Sequence, residues 1–283
     1  MNIQQLIGLA IQASLIVIVF CVALNTRQGD LLSLLRRPGL LLRSVLAMNV
    51  LLPVIAVLLA MGLGLNRQVE IALIALAVSP VPPILPNKQI KAGSSASYAV
   101  ALLAWSAIVA IVMIPASIEV LQWIFKRPLE VPASLVLKAV GISVLAPLLA
   151  GVVVRQLAPA IAARIARPLS TLASILLIAA FVPVLIVAWP ELRAQIGNFT
   201  LVAIVVLVLA GLLIGHLLGG PAAGDRTALA LSTASRHPGV AIAVATAVAP
   251  GDKEVIAAVL LAFLVSIVAS MPYTRWRRRL HMG

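Results

Sequence analysis

Seven stretches of this chain run for about a helix's membrane-crossing length with almost no charge: 3–24, 39–63, 95–125, 133–154, 168–189, 198–219 and 255–274. A helix needs about 20 mostly apolar residues to cross the hydrocarbon core of a bilayer. In that core each backbone N–H and C=O must find a partner within the protein, as it does in a helix. The reading is an all-α, multi-pass membrane protein. Composition agrees, at 63% hydrophobic and only 10% charged residues, against about 25% charged in a soluble domain. Little of the chain is left for a soluble domain, so residues 1–283 read as one transmembrane unit. The first stretch lacks a basic leader and a small-residue cleavage site and reads as a spanning helix, not a cleaved signal.

Two further apolar regions are interrupted. In the first, residues 69–79 lead into SPVPPILPNKQ, where Pro80, Pro82, Pro83 and Pro86 fall close together, and a short remnant with a polar and basic content follows at 87–93. In the second, RTALALSTAS (226–235) and VAIAVATAVA (240–249) flank Arg236, His237, Pro238 and Gly239. No half is long enough to cross alone. Each pair crosses as two half-helices, for about nine crossings in all. Proline lacks an N–H and clashes with the preceding turn, so the proline run unwinds its helix. Unwound backbone at membrane depth is tolerated only where protein buries it or it lines a cavity. A loop outside the membrane at 79–94 is the other reading of that stretch.

The breaks recur in order. Helices 3–24, 39–63, the first broken one and 95–125 form one set, about 3–125. A second set, 168–189, 198–219, the second broken one and 255–274, falls within repeat two, about 133–274. Helix 133–154 stands between the sets. An offset of five crossings makes the two sets opposite in topology, the signature of an inverted-repeat transporter whose site lies where the broken helices cross.

The net charge of +13, from 21 basic and 8 acidic residues, sits in short clusters. Such clusters set topology and touch anionic lipid, and no nucleic-acid partner is expected. With the C-terminus cytoplasmic, nine crossings place the N-terminus outside. The inner side then holds Arg27, Arg36, Arg37, Lys88, Lys91, Arg155, Arg164, Arg167, Arg226 and the tail arginines. The outer side holds Arg67, Lys126, Arg127, Arg193 and Lys253. This bias fits the inner, or plasma, membrane of a cell.

Candidate ligand-binding residues gather at the breaks. Arg236 and His237 lie mid-crossing, and charge at that depth by default marks a pathway. Ser232, Thr233 and Ser235 precede them on the same half-helix. After the first break come Asn87, Lys88 and Gln89, and Asn49 lies within the second helix. Two roles stand for Arg236: pairing a solute anion, or capping carbonyls that the break frees. Lys88 either reaches the crossing or, with Lys91, only sets topology. The eight acidic residues lie at helix ends or in loops, so no buried carboxylate builds a sodium or proton site. The lone Cys21 offers no disulfide and no cysteine metal cluster. There is no H-E-x-x-H motif and no carboxylate near His237 or His216. No metal, no cofactor and no enzyme activity are expected.

The pattern resembles the bile acid:sodium symporter family. The likeness rests on FCVALNTRQGDLLSLLRRPGLL (20–41), LLPVIAVLL (51–59), VLAPLLAGVVVR (144–155), the proline run with Pro80 on a family proline, Pro115, and RHPGVA (236–241). Together these cover nearly the whole chain. The family's longer members have ten crossings, and the resemblance implies that the first is missing here. The departures fall on the family's sodium ligands. Its Ser-Asn pair aligns with Leu85 and Pro86, its serine and threonine with Ala99 and Leu103, its glutamate with Ser232, and its Gln-Asn pair with Arg236 and His237. A further glutamine aligns with Met48, beside Asn49. The resemblance therefore implies the fold and an alternating-access carrier, without the sodium sites.

The function expected is a secondary transporter of a small organic anion, with Arg236 standing where bound sodium would. A membrane sensor or scaffold that keeps the fold without transport is the alternative, suggested by the apolar Leu85, Ala99 and Leu103.

Overall fold

A computed structural model describes residues 3–26, 29–125 and 131–282. Arg27, Lys126 and Arg127, which enter the charge comparison above, lie outside the described residues. Every described element is helical and no strand occurs among them. Seven helices are long and apolar enough to cross a membrane.

The helices are α1 (Ile3–Leu24), α2 (Pro38–Gly62), α3 (Arg67–Val78), α4 (Leu85–Lys91), α5 (Ala96–Phe125), α6 (Ala133–Leu157) and α7 (Pro159–Val187). They continue with α8 (Trp189–Ala194), α9 (Thr200–Leu218), α10 (Ala223–Ala234), α11 (Pro238–Val248), α12 (Lys253–Ala269) and α13 (Met271–Met282). Two boundaries differ from the sequence reading. Helix α7 starts at Pro159, a favoured first position for a ring with fixed φ and no N–H, and carries Pro168 inside it. The basic tail, for which the sequence reading set no structure, is helical as α13.

Helices α2 and α6 share a feature that their prolines explain. Each widens into a π turn, Leu46–Leu51 in α2 and Gly141–Leu145 in α6, just before Pro53 and Pro147. Proline clashes with the carbonyl four residues back, and a wider turn relieves the crowding. In α2 the N–H of Leu52 reaches Ala47 O, five residues back. Met48 O thereby loses its usual donor, and Pro53 has none to offer in its place.

Helix α1 packs along α6 and α7, α6 packs also on α5 and α11, and α2, α5, α9 and α12 surround the half-helices α3, α4, α10 and α11. Small residues allow the closest approaches, as is usual between helices in lipid. A Cβ on Gly215 of α9 would lie 2.5 Å from Ala230 Cα and from Leu229 O of α10. One on Gly211 would lie 3.0 Å from Ala234 Cα. The backbone of α9 thus holds α10 in place up to its last residue, immediately before Ser235 and Arg236.

Candidate functional site

Both interruptions foreseen from the sequence are real breaks, and both are interior. The chain is non-helical at 79–84, where residues 79–83 are buried, and again at the buried residues 235–237. The first is therefore no loop at the protein surface. The breaks also meet. His237 N–H donates to Pro80 O at 2.9 Å. Helix α3 packs against α11, and α4 against α10, so each first half-helix lies beside the second half of the other. Gln89 Nε2 ties α4 to α10 by donating to Ser232 Oγ and to Ala228 O, both at 2.7 Å.

Pro238 opens α11 at its first position. The preceding half-helix already stops at Ala234, so Pro238 and Gly239 belong to the start of the second half and do not separate the two. His237 is the cap: its Nδ1 accepts from Val240 N–H at 3.3 Å. With Nδ1 accepting, the neutral imidazole carries its proton on Nε2. That Nε2 is buried and has no partner among the described residues.

Arg236 is 4% exposed. Its Nη2 donates to Met48 O and, at 2.8 Å, to Ala77 O. Met48 O is the carbonyl released by the π turn of α2. Ala77 O belongs to the last turn of α3, where the N–H four residues on, Val81, turns instead to Ser106 Oγ of α5 at 3.1 Å. Arg236 does cap freed carbonyls, as one of its two expected roles required, but they belong to α2 and α3. The same guanidinium leaves Nε and Nη1 buried without partners among the described residues. Arg236 also lines a cavity of about 20 Å3, bounded by Leu52, Leu73, Ile204 and Ser266 among others. Such a space holds about one water molecule.

The remaining candidate residues divide. Ser232, Thr233 and Gln89 are wholly buried. Ser232 receives Gln89, and Thr233 Oγ1 bonds its own helix at Leu229 O, 2.8 Å away. Gln89 Oε1 is a buried acceptor with no partner. Ser235 is buried at the break itself. Asn87 is exposed. Lys88 Nζ donates to Ser270 Oγ, at the end of α12, at 3.0 Å, and Lys91 is exposed. Neither lysine bonds to a residue of the crossing. Asn49 lies on α2 beside Met48 but bonds to none of the others.

Sequence reasoning missed three partners: Met48 O, Ala77 O and Ser106. The Leu52-Pro53 step inside an apolar run was the signal for the first. Nothing local marked Ser106, since a serine in a long apolar helix reads equally well as packing. Among the described residues no group of His, Cys, Asp and Glu could hold a metal ion.

Long apolar helices in such number define a multi-pass membrane protein. A comparison with protein-family models matches residues 13–191 to the Sodium Bile acid symporter family. The match takes in more than half of the 283 residues, and the chain belongs to that family of membrane transporters. It ends before α9, so it includes the first break and stops short of the second. No individual curated protein matches the chain.

Proposed function

We propose that the protein is a secondary carrier of a small organic anion, working by alternating access around the crossed half-helices. One observation carries the reading: at the crossing a buried guanidinium and a buried imidazole leave three nitrogens, Arg236 Nε and Nη1 and His237 Nε2, without acceptors. Buried polar atoms are almost always bonded, and a guanidinium presents parallel N–H groups that match a carboxylate or phosphate. The start of α11 adds donors and positive potential at the same point. Ser232, Thr233, Ser235 and Gln89 would complete the lining, with Asn87 and Lys88 on the approach.

In the conformation described here the crossing has room for about one water. An anion reaches it when the α1, α6 and α7 group moves against the rest. This reading takes the whole chain as one domain, with nine crossings if each pair of half-helices counts as one. It takes α1 to α5 as one repeat, and the helices from α6 to α12 as holding its inverted counterpart. It sets the chain in the inner membrane with the N-terminus outside. Reporter fusions after Arg167 and at the C-terminus should both read cytoplasmic; an external readout at either overturns the orientation and the inverted repeat together.

Sodium is not the coupling ion in this reading. A hard cation needs several oxygen ligands. Leu85, Ala99 and Leu103 offer no side-chain oxygen, and the Ser232 hydroxyl is neutral. A cation beside Arg236 would also meet repulsion of several kcal/mol, on the order expected at about 4 Å and moderate dielectric. The test is uptake of a labelled acid panel into proteoliposomes, with sodium replaced by potassium or choline. We expect uptake of at least one acid at the same rate in all three salts. Uptake that requires a sodium gradient removes the argument from missing ligands, and no uptake of any acid favours the scaffold. One observation favours that second reading: Arg236 Nη2 already serves two backbone carbonyls.

A further inference from the structure

Away from the crossing, the outer face of the bundle carries a groove of about 380 Å3 between α2 and α5, floored by α3. Its volume falls within the range of about 300–1,000 Å3 usual for small-molecule sites. Val54, Leu58 and Val120 line it and are each at least half exposed. On membrane-spanning helices such a face meets hydrocarbon. Two polar side chains break the apolar lining, Ser117 and the more deeply buried Asn49. Asn49 is 8% exposed and makes no side-chain hydrogen bond with any described residue. An unpaired amide in hydrocarbon is costly, and buried side-chain amides normally have partners.

Depth restricts what could pair with it. Asn49 lies eleven residues into α2, roughly 16 Å along the helix at about 1.5 Å per residue. That is near the middle of a core about 30 Å thick, well below the headgroups of phospholipids. An ionised group is expensive at such depth. An amide both donates and accepts, which a hydroxyl can answer with one of each.

We propose that this groove binds a neutral, lipid-soluble molecule with an apolar body and one terminal hydroxyl, entering sideways from the bilayer and placing the hydroxyl on Asn49. The site faces lipid, is separate from the crossing and does not depend on the transport reading.

The test uses the full chain in lipid nanodiscs and two photoreactive probes of equal length, a diazirine-bearing hexadecanol and the matching hexadecane. Labelled peptides are mapped by mass spectrometry. The alcohol should label the peptides around Asn49–Leu58 and Met113–Ile124 about three- to tenfold more than the alkane, the factor one buried hydrogen bond supplies. Asn49→Leu should abolish that preference, and Val54→Trp, which fills the groove, should lower labelling by both probes. Equal labelling of the unaltered protein by the two probes overturns the proposal without recourse to any variant. A preference that survives Asn49→Leu overturns it too.

Discussion

The two breaks solve opposite problems. The first spans six residues and carries Pro80, Pro82 and Pro83, with Pro86 just beyond. Proline removes donors and leaves carbonyls, so this break is rich in acceptors: Pro80 O and, on the turn before it, Ala77 O. It holds no charged side chain. The second break spans three residues, with its only proline just beyond it, and brings donors: the His237 N–H and the guanidinium of Arg236. The donors of the second meet the acceptors of the first at His237 N to Pro80 O and at Arg236 Nη2 to Ala77 O. The comparison teaches that the breaks form one hydrogen-bonding unit. It also shows the remainder. Once the carbonyls are served, Arg236 and His237 still have donors left over, and it is this surplus that the proposed anion would take up.

The largest effect should come from Arg236, which serves both sides of this comparison. Arg236→Ala leaves Met48 O and Ala77 O unserved. At about 1–3 kcal/mol for each buried unmade bond, the loss is roughly 2–6 kcal/mol, together with all uptake. Arg236→Lys keeps the charge and can serve a carbonyl, but it lacks the planar fork. It should recover much of the stability while weakening anion binding by about tenfold or more, the equivalent of about 1.4 kcal/mol. Stability can be followed by thermal unfolding in detergent with a thiol-reactive dye, since the chain's single cysteine, Cys21, is buried. If Arg236→Lys restores both stability and affinity, the unpartnered nitrogens have no part in binding. If Arg236→Ala unfolds the chain while Arg236→Lys transports normally, the residue is a cap alone.

A smaller effect should follow from moving the second break without altering its chemistry. Gly215 lets α9 touch the backbone of α10 two turns ahead of Arg236. A leucine there would drive its Cβ to 2.5 Å from Ala230 Cα and Leu229 O. Overpacking of this kind costs typically about 1–3 kcal/mol. Gly215→Leu should lower the unfolding temperature and also reduce uptake, because Arg236 and His237 shift relative to Pro80 and Ala77. Leu209→Ala on the lipid-exposed face of the same helix serves as the control and should change neither by much. Unchanged uptake in Gly215→Leu would show that the two breaks need not be held in register.

What could be read from the sequence follows the same division. The long helices were legible because about 20 apolar residues have few other fates in a membrane. Both breaks were legible because the half-helices are too short to cross and the prolines or the paired Arg236 and His237 mark the gap. Their contact partners were not. A carbonyl freed by a π turn carries no side-chain signature, so Met48 could only be suspected from Pro53, five residues further along the chain. Lys88 looked like a site residue by proximity in sequence, yet a seven-residue half-helix turns its neighbours to different sides: Gln89 reaches Ser232 while Lys88 reaches Ser270. Asn49 was placed with the site by its neighbour in the resemblance, and one residue along a helix is enough to face another surface.

The smallest effect tests the first break alone. Ser106 is the only side chain among the described residues seen to bond a backbone N–H of residues 79–84: its Oγ accepts from Val81 at 3.1 Å and in turn donates to Leu103 O at 3.1 Å. Ser106→Ala leaves the Val81 N–H without a partner in a buried stretch and removes nothing from the second break. One unmade bond, against two in Arg236→Ala, should cost about 1–2 kcal/mol, seen as a modest fall in the unfolding temperature. Ser106→Thr keeps the hydroxyl and should largely restore it. Anion affinity should hold in both, because Arg236 and His237 keep their geometry as long as Pro80 O and Ala77 O stay in place. A Ser106→Ala protein that is stable but binds anions several-fold more weakly would show that the proline run shapes the site directly, and the division of acceptors to one break and ligand donors to the other would have to be redrawn.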